Sequence, residues 1–373
     1  MLAVLLAKPT QFDAPFFRWM HTNRKELPFV VYYWQPCTPE AGKQAVAGTD
    51  TETGSRLSWG IDLLYGYPWQ QANAADAAGF GDLLRQYGVS YLVCNGWKGG
   101  FAPLIKEALQ AGTPLGLRID SVVWERTAVE MTVRRLYLKK MYRPFSHFFS
   151  SGTVGDEYLA AIHIPSNRWR RWPYCVDAAF FARTSLCMAN ALLIRQQYRL
   201  DERPLILSVC KWVDRENPLE LLRAFIHLKN PGLQLVMIGD GPLRRKMELL
   251  KANAPHLSIL FTGYVPYAQL PAWYALSNIF VHPAFYEPWG VSVQEAMASG
   301  LAVVASSRVG SAFDLIRQGA NGYQYPSGNI QALSQCIEQA VKLYPEQVQS
   351  TNQQILLEWN YATLSRQFEG LAG

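Results

Sequence analysis

The sequence has 373 residues, of which 49% are hydrophobic and 17% are charged, and its net charge is +6. Such a composition excludes a disordered chain, and the length suggests about two domains of roughly 150 residues each. The modest charge allows an anionic substrate or a membrane surface. Because no basic stripe with a nucleic-acid motif is present, no nucleic-acid partner is predicted.

Three further features bear on where the protein works. The apolar start, MLAVLLAKPTQF, is short and runs into a Lys-Pro turn, which predicts a first buried strand rather than a secretory signal. No run approaches the roughly 18 apolar residues of a membrane span. The six cysteines show no CxxC or CxxH spacing, so we expect reduced core residues and no zinc site. These features predict a cytoplasmic protein.

In the first half of the chain, apolar runs alternate with helical patterns, which predicts a parallel sheet with helices on both faces. No G-x-G-x-x-G follows the first strand, so a dinucleotide site is not expected there. The predicted strands are Ala3–Ala7, Phe29–Trp34, Tyr91–Cys94, Pro114–Ile119 and His147–Ser150, and the predicted helices are Ala75–Tyr87, Phe101–Ala111 and Ala128–Tyr142.

Polar residues at the ends of these strands are candidates for contacts with a substrate, since ligands bind at the carboxyl ends of parallel strands. An alternative of equal weight is that they cap loops. The candidates are Gln11, Asp13, Asn95, Arg118 and Asp120, with Asp62 and Trp97 as further possibilities.

The segment 127–143 has the pattern of a basic amphipathic helix, and a second basic and aromatic cluster follows at 167–172. Such helices can lie on anionic lipid surfaces. The favoured alternative is a solvated helix whose apolar side packs on the sheet. The basic residues of the helix are Arg134, Arg135, Lys139, Lys140 and Arg143.

The second half repeats the alternation after a linker near 177–204. The predicted strands are Leu205–Cys210, Leu233–Gly239, Ile259–Val265, Asn278–His282 and Leu301–Ala305. The predicted helices are Leu243–Asn253, Tyr267–Ser277, Val291–Ser299, Ile330–Leu343, Pro345–Trp359 and Ala362–Glu369.

The stretch from Phe280 to Ser306 is the most informative part of the chain. It reads as a strand, a loop, a helix and a second strand, so the loop and the amino end of the helix form a ligand-binding edge. Gly290, Val291 and Ser292 would present unpaired backbone N–H groups to a phosphate there. Two carboxylates, Glu287 and Glu295, flank that position.

The spacing of Glu287 and Glu295 resembles the E-x7-E signature of family 4 retaining glycosyltransferases, because Gly290, the EAMASG run and the VVAS strand also stand at the expected offsets. The resemblance implies the GT-B fold, with two Rossmann-like parallel-sheet domains facing a central cleft. The acceptor domain would comprise residues 1–185 with a carboxy-terminal helix, 358–373, crossing back onto it, and the donor domain residues 200–357.

The same resemblance implies roles for residues of the second domain. Glu287 would contact the donor sugar, the backbone from Trp289 to Ser292 would hold sugar and phosphate, and Glu295 would hold the ribose hydroxyls. The glycines of the Gly239-Asp240-Gly241-Pro242 turn would allow close approach to the nucleotide. The backbone at Val265 would touch the base.

The sequence departs from the family pattern in four places. Lys211 stands where an arginine is usual, and Glu216 where a lysine is usual, so Arg215 is the candidate to replace that lysine on the donor diphosphate. The paired-glycine loop is replaced by Pro9–Asp13, and the histidine expected near Arg118–Asp120 is missing. The acceptor side therefore receives no transferred role.

Together these features predict a hexosyltransferase that uses a nucleoside diphosphate sugar, with UDP- or GDP-sugars favoured and no tightly bound cofactor. Lys211, Arg215 and the helix amino end would stabilise the leaving diphosphate without a metal, and Glu287 would orient the sugar. The acceptor would be a glycan, a lipid-linked molecule or a small molecule, in cell-surface polysaccharide or glycoconjugate synthesis. Two alternatives are a phosphorylase-like enzyme with pyridoxal phosphate and a catalytically weak sugar-nucleotide-binding or scaffold protein.

Overall fold

The computed structural model describes residues 1–37, 46–49, 52, 56–58, 60–73, 77–124 and 126–371, with backbone alone for 46–49 and 56–58. The chain divides into two compact units. Unit 1 comprises Met1–Ala45, Ile61–Cys175 and Tyr361–Gly373, and unit 2 comprises Val46–Gly60 and Val176–Asn360. The chain therefore passes between the units more than once.

Unit 1 is built on a seven-stranded parallel sheet in the order β5-β2-β1-β6-β7-β8-β9. Its central strands are fully buried, as expected where helices cover both faces. The strands are β1 (Leu2–Leu6), β2 (Phe29–Tyr33), β5 (Trp69–Gln71), β6 (Tyr91–Cys94), β7 (Leu115–Ile119), β8 (Phe145–Ser150) and β9 (Trp169–Arg171).

Unit 2 is built on a six-stranded parallel sheet in the order β12-β11-β10-β13-β14-β15. The short antiparallel pair β3 (Val46–Thr49) and β4 (Arg56–Ser58) also belongs to this unit. The strands of the main sheet are β10 (Leu205–Val209), β11 (Gln234–Ile238), β12 (Ser258–Gly263), β13 (Ile279–His282), β14 (Ala302–Ser306) and β15 (Gly322–Tyr325).

Each parallel sheet reverses its strand order at one point, beside the first strand of that sheet. This point lies between β1 and β6 in unit 1 and between β10 and β13 in unit 2. Ligands of doubly wound sheets bind at this point, outside the carboxyl ends of the strands. The helices of unit 1 are Asp13–Asn23, Phe80–Gln86, Phe101–Gln110, Ala128–Met141, Thr153–Ala161 and Tyr361–Arg366. Those of unit 2 are Ala178–Phe181, Ser185–Gln197, Pro218–Leu228, Arg244–Ala252, Leu270–Leu276, Val291–Ala298, Gly310–Leu315, Ile330–Ala340 and Pro345–Glu358.

The alternation predicted from the sequence is confirmed, and each predicted strand is present within two residues of its expected bounds. The predicted helix Ala75–Tyr87 begins only at Phe80, and its positions 75 and 76 lie outside the described residues. The sequence did not predict that Val46–Gly60 would group with unit 2, nor that residues 176–199 would. Among the described helices, none combines the length and the apolar character that a membrane span requires.

The basic and aromatic cluster at 167–172 is partly engaged by unit 1. Trp169–Arg171 forms the edge strand β9, and Trp172 is buried. Arg168 donates from Nε to the carbonyl oxygen of Ser146, and Arg171 pairs with Asp156 at 2.7 Å. These two cations are held by partners on β8 and on the helix Thr153–Ala161, and a lipid contact of this cluster stays a prediction.

The carboxy-terminal segment from Tyr361 onward groups with unit 1, the unit to which the sequence analysis assigned it. Phe368 is fully buried, and its ring lies 4.9 Å from Trp172 and 5.6 Å from Phe149 between ring centroids. Aromatic pairs at this distance add to the free energy of burial. The segment is thus part of the core of unit 1.

We expect Phe368→Ala to lower the free energy of unfolding by about 3–5 kcal/mol, because a large ring is deleted from a closed core. The matched control is Leu357→Ala, whose side chain is 74% exposed and which should change stability by less than about 0.5 kcal/mol. Urea unfolding of both variants measures the difference. Equal midpoints for the two would show that the segment is not integral to unit 1.

Candidate active site

The candidate site in unit 2 lies where β10 and β13 run side by side. These strands are paired at Leu207 and Phe280, so the residues that follow them meet at one edge of the sheet. Lys211 comes two residues after β10, and His282 is the last residue of β13. The site is therefore at the reversal point of the strand order, as the fold requires of a ligand site.

Arg215 is the centre of the charged groups at this edge. Its Nη1 lies 2.9 Å from Glu216 Oε1 and 3.3 Å from Glu287 Oε2. Its Nε and Nη2 lie 2.8 and 3.0 Å from the two carboxylate oxygens of Glu52. Lys211 Nζ contacts the same Glu52 carboxylate at 2.7 Å. The residues thus form one network of two cations and three carboxylates.

The local backbone explains how Arg215 reaches Glu287. Residues Asp214–Glu216 form a single 3₁₀ turn, which Asn217 ends in the left-handed conformation before Pro218 begins the next helix. The carbonyl oxygen of Arg215 accepts hydrogen bonds from the backbone N–H groups of Phe285 and Tyr286, at 2.7 and 3.2 Å. The loop after β10 is thereby tied to the loop after β13.

Burial sets the protonation of the inner groups of this network. Burial and the neighbouring Glu287 raise the pKa of Glu216 to about 8, although Arg215 opposes the shift. Burial lowers the pKa of His282 to about 4, so its imidazole is neutral at pH 7. Its Nδ1 is buried and accepts or donates no hydrogen bond among the described residues.

Within the described part of the chain, one group of side chains could hold a metal ion: Glu216, His282 and Glu287, with ligand atoms within 4.8 Å of one another. The sequence analysis did not predict it. Arg215 Nη1 contacts both carboxylates of that group. A guanidinium in this position compensates the negative charge that a divalent cation would otherwise balance.

The helix Val291–Ala298 begins at Gly290, which has a positive φ of 89°. A Cβ at Gly290 would lie 2.8 Å from Val309 Cγ1, 3.2 Å from His282 Cδ2 and 3.3 Å from Glu287 Cγ, so only glycine fits. No side chain caps this helix. The first N–H groups, from Val291 and Ser292, therefore have no intrahelical acceptor, as the sequence predicted.

Glu295 is buried on the same helix and accepts a hydrogen bond from Tyr274 Oη at 2.7 Å. Burial raises the pKa of Glu295 to about 7, and the bond from Tyr274 opposes part of that rise. Tyr274, which sequence reasoning missed, lies on the fully buried helix Leu270–Leu276 and fixes one oxygen of the carboxylate.

Three of the predicted donor-site residues have a structural explanation. The ring of Trp289 is buried and packs on Trp359 at 5.1 Å, and the backbone contact with the donor that the sequence analysis expects of this residue stays a prediction. A Cβ at Gly239 would lie 1.9 Å from the carbonyl oxygen of Cys210, and one at Gly241 would lie 2.7 Å from that of Trp212. Both glycines are thus required by the protein backbone, whatever binds beside them.

Val265 lies two residues beyond the end of β12 and is half-buried. Gly263, the last residue of β12, accepts a hydrogen bond at its carbonyl oxygen from the backbone N–H of Gly239 at 3.0 Å. Val265 therefore follows the strand next to the Gly239 turn, whereas the sequence analysis predicted that it would be the last residue of that strand. Its suggested contact with a base stays a prediction.

In unit 1, three of the five acceptor-side candidates lie together. Arg118 Nη1 and Asp13 Oδ1 form a buried ion pair at 2.9 Å. The guanidinium lies 4.4 Å from the ring of Trp172 and 4.0 Å from that of Tyr174, whose hydroxyl donates to Asp120 at 3.4 Å. These residues lie at, and just beyond, the carboxyl ends of β1 and β7.

The other two candidates lie outside this ion pair. The side chain of Gln11 is buried beside the start of the helix Asp13–Asn23, and the backbone N–H of Asn95 donates to Leu5 at 2.9 Å. The structure gives neither of them a side-chain contact with Arg118 among the described residues. Both interpretations of Asn95, a substrate contact and a loop cap, stay predictions.

Sequence reasoning missed His282 and Glu52. His282 could have been found, because it is the polar last residue of an otherwise apolar strand. Glu52 carries no such signal: the chain between β3 and β4 has no motif, and its contact with Lys211 spans 159 residues of sequence.

Comparison with known proteins shows what the second half of the chain resembles. Residues 191–355 match the sequence profile of the family described as glycosyl transferases group 1. The chain is 32% identical over 184 residues to sulfoquinovosyl transferase SQD2 of Arabidopsis thaliana, covering 48% of this chain and 34% of that protein. It is 35% identical over 153 residues to a GDP-mannose-dependent alpha-mannosyltransferase of Mycolicibacterium smegmatis, covering 41% and 37%. The chain thus spans about a third of the length of each relative.

Solved structures match along nearly the whole chain. HepE of Anabaena in complex with UDP has a TM-score of 0.75 at 14% identity, covering 99% of this chain and 98% of that one. A glycosyltransferase of Rickettsia africae has a TM-score of 0.77 at 13% identity, covering 98% and 95%. The GT-B fold is confirmed. Residues 191–355 are similar to the glycosyl transferases group 1 family, in agreement with the predicted resemblance to family 4 enzymes.

We expect Glu216→Gln to become more stable relative to the unchanged protein as the pH rises from 5 to 8. A carboxyl with a folded pKa of about 8 adds stability below its unfolded pKa of about 4.3 and loses it as the pH rises through 8. The amide carries no such penalty, so the difference in unfolding free energy should grow by about 1–3 kcal/mol. Glu338→Gln, at an exposed helix position, is the control and should give a flat difference. A flat difference for Glu216→Gln would mean that Glu216 is ionised in the folded protein.

Proposed function

We propose that the chain is a retaining glycosyltransferase that moves a sugar from a nucleoside diphosphate sugar to an acceptor hydroxyl. The observation that carries the proposal is the position of Lys211, Arg215 and Glu287 at the reversal point of the second sheet, next to the uncapped amino end of the helix Val291–Ala298. Cations and helix amides together suit a diphosphate. The family match and the nucleotide named in neighbouring structures support it.

In the proposed reaction, the bond between the anomeric carbon and the β-phosphate oxygen breaks, and a bond to the acceptor oxygen forms on the same face of the sugar. The acceptor gives up its proton, and the nucleoside diphosphate leaves with the extra negative charge. Lys211, Arg215 and the amides of Val291 and Ser292 stabilise that charge where it develops. Retention of configuration follows from the resemblance to family 4.

Glu295 and Glu287 have different proposed tasks. Tyr274 holds one oxygen of Glu295, which leaves the carboxylate oriented to accept hydrogen bonds from the ribose hydroxyls. Glu287 is held by Arg215 and by the backbone N–H of Trp289, so it is positioned to orient sugar hydroxyls rather than to attack the anomeric carbon. A fixed carboxylate paired with a cation is a weak nucleophile.

We propose that the transfer needs no metal. Arg215 already contacts the two carboxylates of the only cluster of possible metal ligands among the described residues. Cationic side chains and the helix amino end would then do what a divalent ion does in metal-dependent transferases. The relatives' names support GDP-sugars as donors, and the neighbouring complex supports UDP-sugars.

The first test is a donor screen with UDP-, GDP- and ADP-sugars, scored for free nucleoside diphosphate in the presence of a chelator. We expect slow release from one donor, unaffected by chelation, and a fall of about 100-fold in Lys211→Ala and Glu295→Ala. The controls are Lys342→Ala and Glu338→Ala, which change the same residue types at exposed positions of unit 2. Binding of a donor without release, also when candidate acceptors are supplied, would favour the scaffold alternative. Activity lost with chelator and restored by Mg²⁺ or Mn²⁺ would refute metal independence.

We further propose that the acceptor is lipid-linked and that the helix Ala128–Met141 docks on an anionic membrane. One side of the helix packs on the core of unit 1 through Leu138 and Met131, as the alternative expected. A second set of apolar residues does not: Val129, Val133 and Leu136, which share one face, are 73%, 63% and 65% exposed. Lys139, Lys140 and Arg143 next to them are exposed as well. Apolar residues flanked by lysine and arginine are complementary to an anionic bilayer.

We expect the full chain to co-sediment with vesicles of phosphatidylcholine and phosphatidylglycerol, and the double variant Lys139→Glu/Lys140→Glu to lose at least about tenfold in apparent affinity. Each basic residue near an anionic surface contributes about 1 kcal/mol, so two reversals exceed tenfold. The control is Arg85→Glu/Lys106→Glu, the same charge change on other helices of unit 1. Equal binding of both double variants, or no binding to anionic vesicles, would refute membrane docking by this helix.

A further inference from the structure

The cations proposed to bind the donor diphosphate are already engaged by a carboxylate. Glu52 lies in the sequence between the paired strands β3 and β4, in the segment Val46–Gly60 that groups with unit 2. Its two oxygens contact Lys211 Nζ at 2.7 Å, Arg215 Nε at 2.8 Å and Arg215 Nη2 at 3.0 Å. One carboxylate thus bridges a lysine ammonium and two nitrogens of an arginine guanidinium. Phosphate groups are bound with the same geometry.

With Glu52 in place, all three nitrogens of the Arg215 guanidinium are occupied: Nε and Nη2 by Glu52, and Nη1 by Glu216 and Glu287. Among the described contacts, the positive charges of Lys211 and Arg215 are opposed by the carboxylates of Glu52 and Glu287. Glu52 therefore lowers the net positive charge that a diphosphate would meet at these two cations. If Glu52 leaves, that charge rises by one unit and the nitrogens of Arg215 that now contact its carboxylate become available.

We propose that Glu52 occupies a phosphate-binding position and is displaced when the nucleoside diphosphate binds, so that the carboxylate of Glu52 opposes donor binding in the free protein. This inference rests on the proposed function, because it takes Lys211 and Arg215 as the diphosphate ligands. It adds a competing group from a part of the chain that no family motif covers.

Glu52 stays charged over the whole range in which the protein would be assayed. The hydrogen bond from Arg215 lowers the pKa of Glu52 to about 2, with Lys211 acting in the same direction. Its carboxylate is about one-third exposed, so water and a competing anion can reach it. An exposed ion pair contributes little stability, which makes exchange for a polyvalent anion favourable.

The test compares UDP and GDP binding by titration calorimetry in the unchanged protein and in Glu52→Gln, which keeps the shape and removes the charge. We expect the nucleotide that binds to do so about tenfold more tightly in Glu52→Gln, a difference of about 1.4 kcal/mol. Glu52→Asp, which keeps the charge, should gain much less. Glu338→Gln, which makes the same charge change at an exposed helix position of unit 2, should not differ from the unchanged protein.

A double-mutant cycle with Lys211→Ala gives a second readout. If Glu52 competes with the ligand through Lys211, the gain from Glu52→Gln should shrink when Lys211 is absent. Equal or weaker nucleotide binding in Glu52→Gln would overturn the inference and would mean that Glu52 orients the cations for the donor. Thermal unfolding of each variant checks that the fold is retained.

Inorganic pyrophosphate separates failure of this inference from failure of the proposed function. Tighter pyrophosphate binding in Glu52→Gln, with no nucleotide bound by either protein, would support the displaced carboxylate and refute the nucleotide-sugar donor. Nucleotide binding that is unaffected by Glu52→Gln would refute the inference alone. Absence of binding of all three anions to both proteins would refute both.

Discussion

The charged edge of unit 2 depends on Arg215, which joins two loops that are far apart in sequence. Its side chain spans 72 residues to reach Glu287, and its carbonyl oxygen holds the backbone of Phe285 and Tyr286. Glu216 beside it is buried, and its carboxyl group lies 2.9 Å from Arg215 Nη1. The positions of Glu287, and of the helix that follows it, are thus fixed by the same guanidinium that is proposed to meet the donor.

Much of this fold could be predicted because its determinants are local. The buried central strands of both sheets are mostly apolar runs of four to six residues, which is what burial on both faces of a parallel sheet requires, whereas the three-residue edge strands β5 and β9 contain no such run. The turn at Gly290 was also readable, because a glycine before an uncapped helix and two flanking glutamates form a short pattern. The family resemblance added roles to these residues, but the positions follow from periodicity alone.

The rest could not be predicted, because it is set by contacts between distant segments. The Arg118–Asp13 pair spans 105 residues and depends on how β1 and β7 are placed in the sheet. The contacts of Glu52 depend on a segment that interrupts unit 1 in sequence and yet groups with unit 2. The helix Ala128–Met141 was predicted from its periodicity, and it is present. Periodicity does not say, however, which apolar residues pack on the sheet and which lie exposed.

The exchange at positions 215 and 216 shows why a motif must be interpreted in three dimensions. The family pattern places a lysine at 216, and in this chain that position holds a buried glutamate. Successive residues of a 3₁₀ turn point about 120° apart, so the cation at 215 leaves the turn in a different direction. Arginine tolerates that displacement because its side chain is long and its planar fork can contact several oxygens at once. The buried Glu216 then becomes a partner of the displaced cation, since its Oε1 lies 2.9 Å from Arg215 Nη1. Glutamate at position 216 therefore does not remove the positive charge from the site. The charge moves by one residue to Arg215, which contacts the carboxyl group of Glu216.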